Sequence, residues 1–306
     1  MRFQQKTKLA YACVFSAIFF LSGCTRLMFF PTENHVQNPS NLGISYEDVF
    51  VKTTSGATLH GWMLKTALPQ KGNVVFLHGN GENISTHVNS IAWVTRFGYD
   101  VLIYDYEGYA KSTGAPNLAR EINNVDRMLD YAASHSKGPT ILYGQSLGGA
   151  IASSALTAPT TRTKVSLLVI ESTFPNFRRI VQDKIADVWF AWPFQWPLSW
   201  AFVSSRNPED SAGQLPPVPV LIIHGKRDRV IPYDNALELL RDSAPPSALW
   251  TISDGGHTMA ALSPDFRQEL VKVFDSVADK QALDLTPKSF DLPPRVVEIL
   301  RTRGAY

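Results

Sequence analysis

The stretch Tyr143-Gly144-Gln145-Ser146-Leu147-Gly148-Gly149 decides the fold. It follows a β-rich run at residues 139–142 and opens a segment of small residues, Ala150, Ala152, Ser153 and Ala155. The order is therefore strand, sharp turn, helix. A serine at such a turn needs strained backbone angles, so the positions two before and two after it must lack bulk, and both are glycine here. The hydroxyl is left alone at the turn. The small-residue helix can lie close to a sheet and aim its N-terminal amides at a developing negative charge.

Working outward, the segments on both sides repeat the same alternation. Residues 48–53 and 59–65 flank Ser55 and Gly56 and read as an antiparallel hairpin. The continuous apolar run at 73–77 suits a strand covered on both faces. A helix is expected over 83–96, with Ile84, Val88, Ile91 and Val94 on one face. A strand at 101–104 follows, then a helix carrying Leu118, Ile122, Val125 and Leu129. Residues 165–170 and 218–223 read as further buried strands and 249–252 as a shorter one. A last helix is announced by Ser263 and Pro264, a capping residue followed by proline. Such alternation implies an α/β architecture, a mostly parallel central sheet with helices on both faces.

A serine hydroxyl needs a base to become nucleophilic, and the base needs a group that fixes its tautomer. Asp228 follows the strand at 218–223, in His224-Gly225-Lys226-Arg227-Asp228. His257 follows the last strand, in Asp254-Gly255-Gly256-His257. Ser146, Asp228 and His257 thus all fall at C-terminal ends of strands, where open α/β sheets place their sites, and they occur in a defined chain order. Two backbone amides, those of Leu147 and Asn80, are expected to form the oxyanion hole. Glu171 also follows a strand and is the rival orienting acid. His78 and His224 directly follow buried strands and read as partners of nearby backbone groups, with His78 the rival base. His35, His60, His87 and His135 read as surface or core residues, and their spacing suggests no metal.

At 306 residues the chain has room for one large α/β domain or two small ones. Its formal charge of +2 comes from Arg2, Lys6 and Lys8 in a leader that holds no acid. Beyond residue 23 there are 26 basic and 27 acidic residues, a balance that gives no basic excess for nucleic acid. The two cysteines, Cys13 and Cys24, lie in or beside that leader, leaving no disulfide pair for the rest. The run Gly108 to Thr113 lacks the glycine before Lys111 that a phosphate-binding loop requires. Basic residues, an apolar stretch at 9–21 and then Leu21-Ser22-Gly23-Cys24 look like a secretory signal. That ending resembles the lipobox of bacterial lipoproteins, which implies an acylated Cys24. Thr25, rather than Asp, implies outer-membrane sorting where the cell has an outer membrane. An uncleaved membrane helix is the alternative, although the apolar stretch falls short of the ~20 residues that span a bilayer.

With these residues in hand, the chain from Phe29 to Phe274 resembles the BEM46-like branch of the α/β-hydrolases. That branch is close to the ABHD17- and ABHD13-like depalmitoylase group and to the serine aminopeptidase-type domain. The resemblance rests on His78-Gly79-Asn80-Gly81-Glu82-Asn83, on Tyr104-Asp105-Tyr106-Glu107-Gly108-Tyr109 leading to Ser112 and Gly114, on residues 144–149 and on residues 224–232. It implies an α/β-hydrolase fold, a cofactor-independent serine hydrolase, and nucleophile, acid and base at Ser146, Asp228 and His257. Glu107 and Ala110 depart from the family, which commonly shows Arg and Gly there.

The organisation expected is a lipoprotein signal peptide at 1–23, a tether at 24–45 with Met28, Phe29 and Phe30 docking on something apolar, and the hydrolase domain at 46–278. A cap insertion at 174–215 follows the sixth strand, and 279–306 is a surface tail with an apolar patch at Val296, Val297, Ile299 and Leu300. In the insertion Trp189, Trp192, Trp196 and Trp200 recur at helical spacing, interrupted by Pro193 and Pro197. They read either as a satellite core or as an apolar wall for an acyl chain, with Trp192 and Trp196 as substrate contacts. The expected activity is hydrolysis of a small-molecule ester or thioester, acyl or lipid-like, at a membrane reached through Cys24. No cofactor, metal or nucleic-acid partner is implied, and oligomeric state is left open. A peptidase uses the same parts if Glu171 or Glu209 holds a substrate amino group, and a non-catalytic scaffold on a hydrolase fold is the remaining alternative.

Overall fold

A computed structural model describes residues 28–186, 199, 204, 206–212 and 218–303. Cys24 and Trp189, Trp192, Trp196 and Trp200 lie outside the described residues, as does the leader. Eleven strands are formed among the described residues: β1 Phe30–Pro31, β2 Tyr46–Lys52, β3 Thr58–Leu64, β4 Gly72–Leu77, β5 Gly81–Glu82, β6 Tyr99–Tyr104, β7 Thr140–Gln145, β8 Leu167–Glu171, β9 Val220–Gly225, β10 Ser247–Ile252 and β11 Lys288–Phe290. Nine of them make one sheet, ordered β11-β10-β9-β8-β7-β4-β6-β3-β2. β3 runs antiparallel to both β2 and β6, and the other pairings are parallel.

The apolar runs are continuous because both faces of the sheet are covered, and the period of two divides each strand between two cores. Val75 and Leu77 of β4 face the core shared with helices α2 Leu118–His135 and α3 Leu147–Ala155. Val74 and Phe76 face the opposite core, shared with α1 Ile84–Ile91 and α8 Pro264–Ala278. The helices between α3 and α8 are α4 Pro159–Arg162, α5 Phe177–Ala186, α6 Pro208–Ala212 and α7 Asp234–Asp242. Each fully buried large side chain in these layers contributes about 1.5–3 kcal/mol, so the sheet centre is the most resistant part of the molecule.

The helix starts follow their capping residues. Asn83 accepts from the Ser85 amide, Asn117 from Arg120, and Ser263 precedes Pro264 at the first turn of α8. The expected helix over 83–96 is shorter: α1 stops at Ile91 and a 3-10 segment, Ala92–Phe97, carries the chain to Gly98 in the left-handed region. Side chains compete with the helix there, since the Trp93 indole donates to the Ser90 carbonyl and Thr95 Oγ1 to that of Ala92.

Both ends of the described chain correct the sequence reading. Residues 279–306, expected as a surface tail, contribute β11, which pairs in parallel with β10, and Phe290 packs on Trp250 and Phe266. The Trp250 indole donates to the Thr286 carbonyl 2.9 Å away. The helix α9 Pro294–Thr302 follows, with Val296, Val297 and Leu300 against the core while Ile299 stays exposed. Residues 28–45 are largely irregular, with only β1 and a 3-10 turn at Pro39–Leu42, and of the three apolar residues expected to dock Phe30 alone does not. Met28 and Phe29 are buried, Phe29 lies edge-on to Tyr106 and Tyr109, and β1 pairs with β5, whereas Phe30 itself faces solvent.

Glu107 and Ala110, the two family departures, sit in one loop. Glu107 is buried and accepts from Ser55 Oγ, Arg120 Nε and Asn124 Nδ2, so Arg120 supplies a cation beside it. Ala110 is held at φ 42°, where glycine would be at ease. The loop is anchored by Glu121, whose Oε1 accepts from the Glu107 amide at 3.0 Å. Burial, reinforced by the Glu107 carboxylate, pushes Glu121 up to about 8 despite those hydrogen bonds. The folded chain therefore keeps a proton that the unfolded chain releases from about pH 4.5 upward, and stability falls as pH rises toward 8. Glu121→Gln removes this dependence. Denaturant titrations should show the variant gaining on the wild type by up to about 1.4 kcal/mol per pH unit between pH 5 and 8 and holding that gain above pH 8. A pH-independent difference would mean that Glu121 is ionised throughout.

Candidate active site

The elbow at the end of β7 is built from both sides. Ser146 takes φ 54° and ψ −121°, a conformation that costs about 1–3 kcal/mol for a residue with a side chain. Its backbone is pinned: the amide donates to the Glu171 carbonyl at 2.9 Å, and Thr173 Oγ1 donates to the Ser146 carbonyl at 2.7 Å. A Cβ on Gly144 would strike the Gly148 carbonyl, and one on Gly148 would strike the carbonyls of Leu77 and His78. Both glycines are thus required by close approach of backbone to backbone.

Asp228 and His257 meet at the ends of β9 and β10. His257 Nδ1–H donates to Asp228 Oδ2 at 2.8 Å, and Asp228 Oδ1 accepts from the amides of Val230 and Ile231. Burial works to raise the Asp228 pKa, but the hydrogen bond and charge of His257, the Ile231 amide and His224 outweigh it and hold the carboxylate below its usual range. The His257 loop crosses over Gly225, where a Cβ would run into the carbonyls of Gly255 and Gly256. Beyond it, the Thr258 amide donates to Ser172 Oγ at 3.1 Å and the Ala260 amide to Glu171 Oε1 at 3.0 Å. Thr258 and Ser172 both lie at positive φ, so strain is concentrated on the two sides of this junction.

Glu171, the rival acid, is engaged elsewhere. Its Oε2 accepts from Tyr143 and Gln145, each at 2.7 Å, and its Oε1 holds Ala260. It braces the base-bearing loop without touching His257 through a hydrogen bond. Glu209 accepts from Asn176 at 2.6 Å. Ser146 is half-buried and His257 is 22% exposed, both open to a ligand. Among the described residues no hydrogen bond joins Ser146 Oγ to His257. Such contacts commonly close only when substrate is bound.

The amides of Leu147 and Asn80 are oriented by their surroundings. Leu147 is the first residue of α3, so its amide has no partner within the helix. The Gly79–Asn80 peptide is fixed by His78, whose Nδ1–H donates to the Gly79 carbonyl at 2.7 Å. In a trans peptide the amide then points the opposite way. Tyr106 donates to the His78 carbonyl and Tyr109 to the Asn80 carbonyl, each at 2.6 Å, while the His78 ring stacks on Tyr106. Burial and then His87 push His78 down to about 3, so it stays neutral and cannot act as the rival base near neutral pH. His224 is likewise buried and donates to the Ile231 carbonyl at 2.9 Å.

Two features escaped the sequence reading. Tyr106 and Tyr109 hold the loop after β4, which only the adjacency of β4 and β6 makes possible. His87, read as surface or core, borders Ser146: a Cβ on Gly79 would lie 3.4 Å from the His87 ring and 3.7 Å from Ser146 Cβ. Its Nε2–H donates to the Gly81 carbonyl. Burial holds its pKa down.

A nine-stranded, mostly parallel sheet carrying a serine elbow and an Asp–His pair on its strand ends defines an α/β-hydrolase. The serine aminopeptidase S33 family model matches residues 69–211. Protein bem46 of Schizosaccharomyces pombe is 30% identical over 209 residues, covering 66% of this chain and 67% of its own. The lysophosphatidylserine lipase ABHD12 of Xenopus tropicalis is 27% identical over 197 residues, 61% of this chain and 50% of its own. The esterase Pf2001 of Pyrococcus furiosus superimposes with a TM-score of 0.65 at 17% identity, covering 83% of this chain and 98% of that one. The chain belongs to the BEM46/ABHD family of α/β-hydrolases and is a serine hydrolase.

The roles of the two carboxylates separate in a paired substitution. Asp228→Asn leaves His257 in the wrong tautomer, and turnover of an activated ester should fall by about 10⁴-fold with folding intact. Glu171→Gln turns an amide N–H toward donors, so it should cost about 1–3 kcal/mol of stability and leave a smaller loss of turnover. Steady-state kinetics and thermal melts on both variants check this, and a larger turnover loss in Glu171→Gln would reverse the assignment.

Proposed function

We propose that this chain hydrolyses carboxylic esters or thioesters of acyl or lipid-like character through an acyl-enzyme on Ser146. Ser146 Oγ attacks the carbonyl carbon as His257 Nε2 takes its proton. Asp228 stabilises the imidazolium, and the Leu147 and Asn80 amides bind the oxyanion. Collapse expels the alcohol or thiol, which receives the proton from His257. Water then enters by the same path in reverse and releases the acid. The observation that carries this reading is the 2.8 Å bond from His257 to a buried Asp228 beside a strained Ser146. Keeping about 1–3 kcal/mol of strain at Ser146 is intelligible where the exposed hydroxyl is used.

A peptidase of the same architecture is the second reading, since the matching family model is described as a serine aminopeptidase. The engagement of buried Glu171 by three donors favours the ester reading, because that carboxylate is not offered to a substrate amine. A lipase among the relatives leans the same way. In this reading Trp192 and Trp196 form an apolar wall, and Cys24 carries acyl chains that hold the protein in a bacterial cell envelope, at the outer membrane where there is one. Among the described residues no helix is long and apolar enough to cross a membrane.

The test is a series of p-nitrophenyl esters from acetate to decanoate, run beside acyl thioesters and aminoacyl amides. Up to ~0.8 kcal/mol per buried methylene corresponds to a few-fold in kcat/KM per carbon until the wall is filled. Fluorophosphonate should label the wild type once and Ser146→Ala not at all. Preference for aminoacyl amides would replace the ester reading with the peptidase one, and labelling that survives Ser146→Ala would remove both.

A further inference from the structure

On the far side of Asp105 from the oxyanion loop, three side chains from distant parts of the chain converge. His35 comes from the segment after β1, His60 from β3 and Asp105 from the loop after β6. His35 Nε2 lies 3.0 Å and His60 Nδ1 4.0 Å from the same oxygen, Asp105 Oδ2. The His60 and Asp105 side chains are fully buried, whereas His35 is 13% exposed and gives the cluster an edge to solvent.

The protonation pattern makes this cluster unusual. His60 Nε2–H donates to Asp48 Oδ1 at 2.6 Å. With Nε2–H given to Asp48, His60 Nδ1 is left buried without a hydrogen-bond partner and faces a carboxylate oxygen. Two acceptors opposed in a buried site repel unless positive charge lies between them.

We propose that His35 Nε2, His60 Nδ1 and Asp105 Oδ2 form a binding site for a divalent late transition metal ion of the zinc type. Two imidazoles and one carboxylate favour such ions over magnesium or calcium. Zinc bond lengths of about 2.0–2.2 Å place tetrahedral ligand atoms about 3.3–3.6 Å apart, against 3.0 and 4.0 Å for the two pairs that include Asp105, with all three atoms within 4.8 Å of one another. The outer contacts also fit. Metal-bound histidine typically donates its second ring N–H to a carboxylate, as His60 does to Asp48, and Asp48 is itself held by the Trp62 indole at 3.2 Å. The second oxygen of Asp105 accepts from the Ile84 amide at 2.9 Å. On binding, the proton that His35 Nε2 shares with Asp105 Oδ2 passes to His35 Nδ1. The ion would clamp the segment carrying His35 onto the sheet. The site is separate from the proposed ester chemistry and stands whether or not that reading does.

Full-length, untagged protein is stripped with chelator, desalted and titrated with Zn²⁺, Co²⁺ and Mg²⁺. The expected result is one Zn²⁺ per chain, Co²⁺ giving the intense visible bands of a four-coordinate ion, and no Mg²⁺ binding. Zinc at about a hundred times its Kd should raise Tm by about 4 °C. Asp48→Asn, on an exposed carboxylate, should weaken zinc binding by about 10–100-fold. His35→Ala, which removes a ligand from a partly exposed position, should weaken it further. Absence of stoichiometric zinc in the wild type would overturn the site. Zinc binding unchanged in His35→Ala would equally overturn it, assigning the metal to other histidines.

Discussion

The strained backbone of Ser146 is the constraint on which the rest of the molecule depends. A residue at φ 54° with a side chain survives only where its surroundings leave no alternative. Here its amide is taken by β8, its carbonyl by Thr173, and the helix that follows is pressed against the end of β4 through Gly148. Three strands and a helix must be in register for that to hold, and their registry rests on the two cores that bury alternate residues of each strand.

The same junction carries the strain outward. Ser172, the residue after Glu171, lies at positive φ and accepts from Thr258, itself at positive φ beside His257. Glu171 thus ties β7, β8 and the base-bearing loop together with one carboxylate. On the other side His78 and two tyrosines fix three successive carbonyls, those of His78, Gly79 and Asn80. These hydrogen bonds between groups buried at strand ends hold the site in place, since losing a partner there would cost about 1–3 kcal/mol.

The first and last described residues are packed into this structure. β11 extends the sheet past β10, and Phe29 fills the space over Tyr106 and Tyr109, so the first described residues cover the tyrosines that hold the oxyanion loop. Neither contact leaves a periodic signature. β11 is a three-residue strand of Lys288, Ser289 and Phe290 between prolines, too short for alternation to be read, and Phe29 docks through one ring.

What the sequence by itself determined is the part of the protein set by local chemistry. The glycines around Ser146, the apolar runs of the central strands and the caps at Asn117 and Ser263 act over a few residues, and their spacing is a direct consequence of geometry. The placement of Asp228 and His257 at strand ends was legible for the same reason, since a parallel sheet aligns its C-terminal ends on one edge. Only the tertiary structure decided which acid meets His257, because Asp228 and Glu171 both end strands and differ only in the partners they find. It also decided that His87 stands beside Ser146 and that His35, His60 and Asp105 face one another. Those residues are separated by 25 to 70 positions and share no spacing. They are neighbours because β3 lies next to β6 and the segment after β1 folds back over them, and strand order is a property of the packed whole.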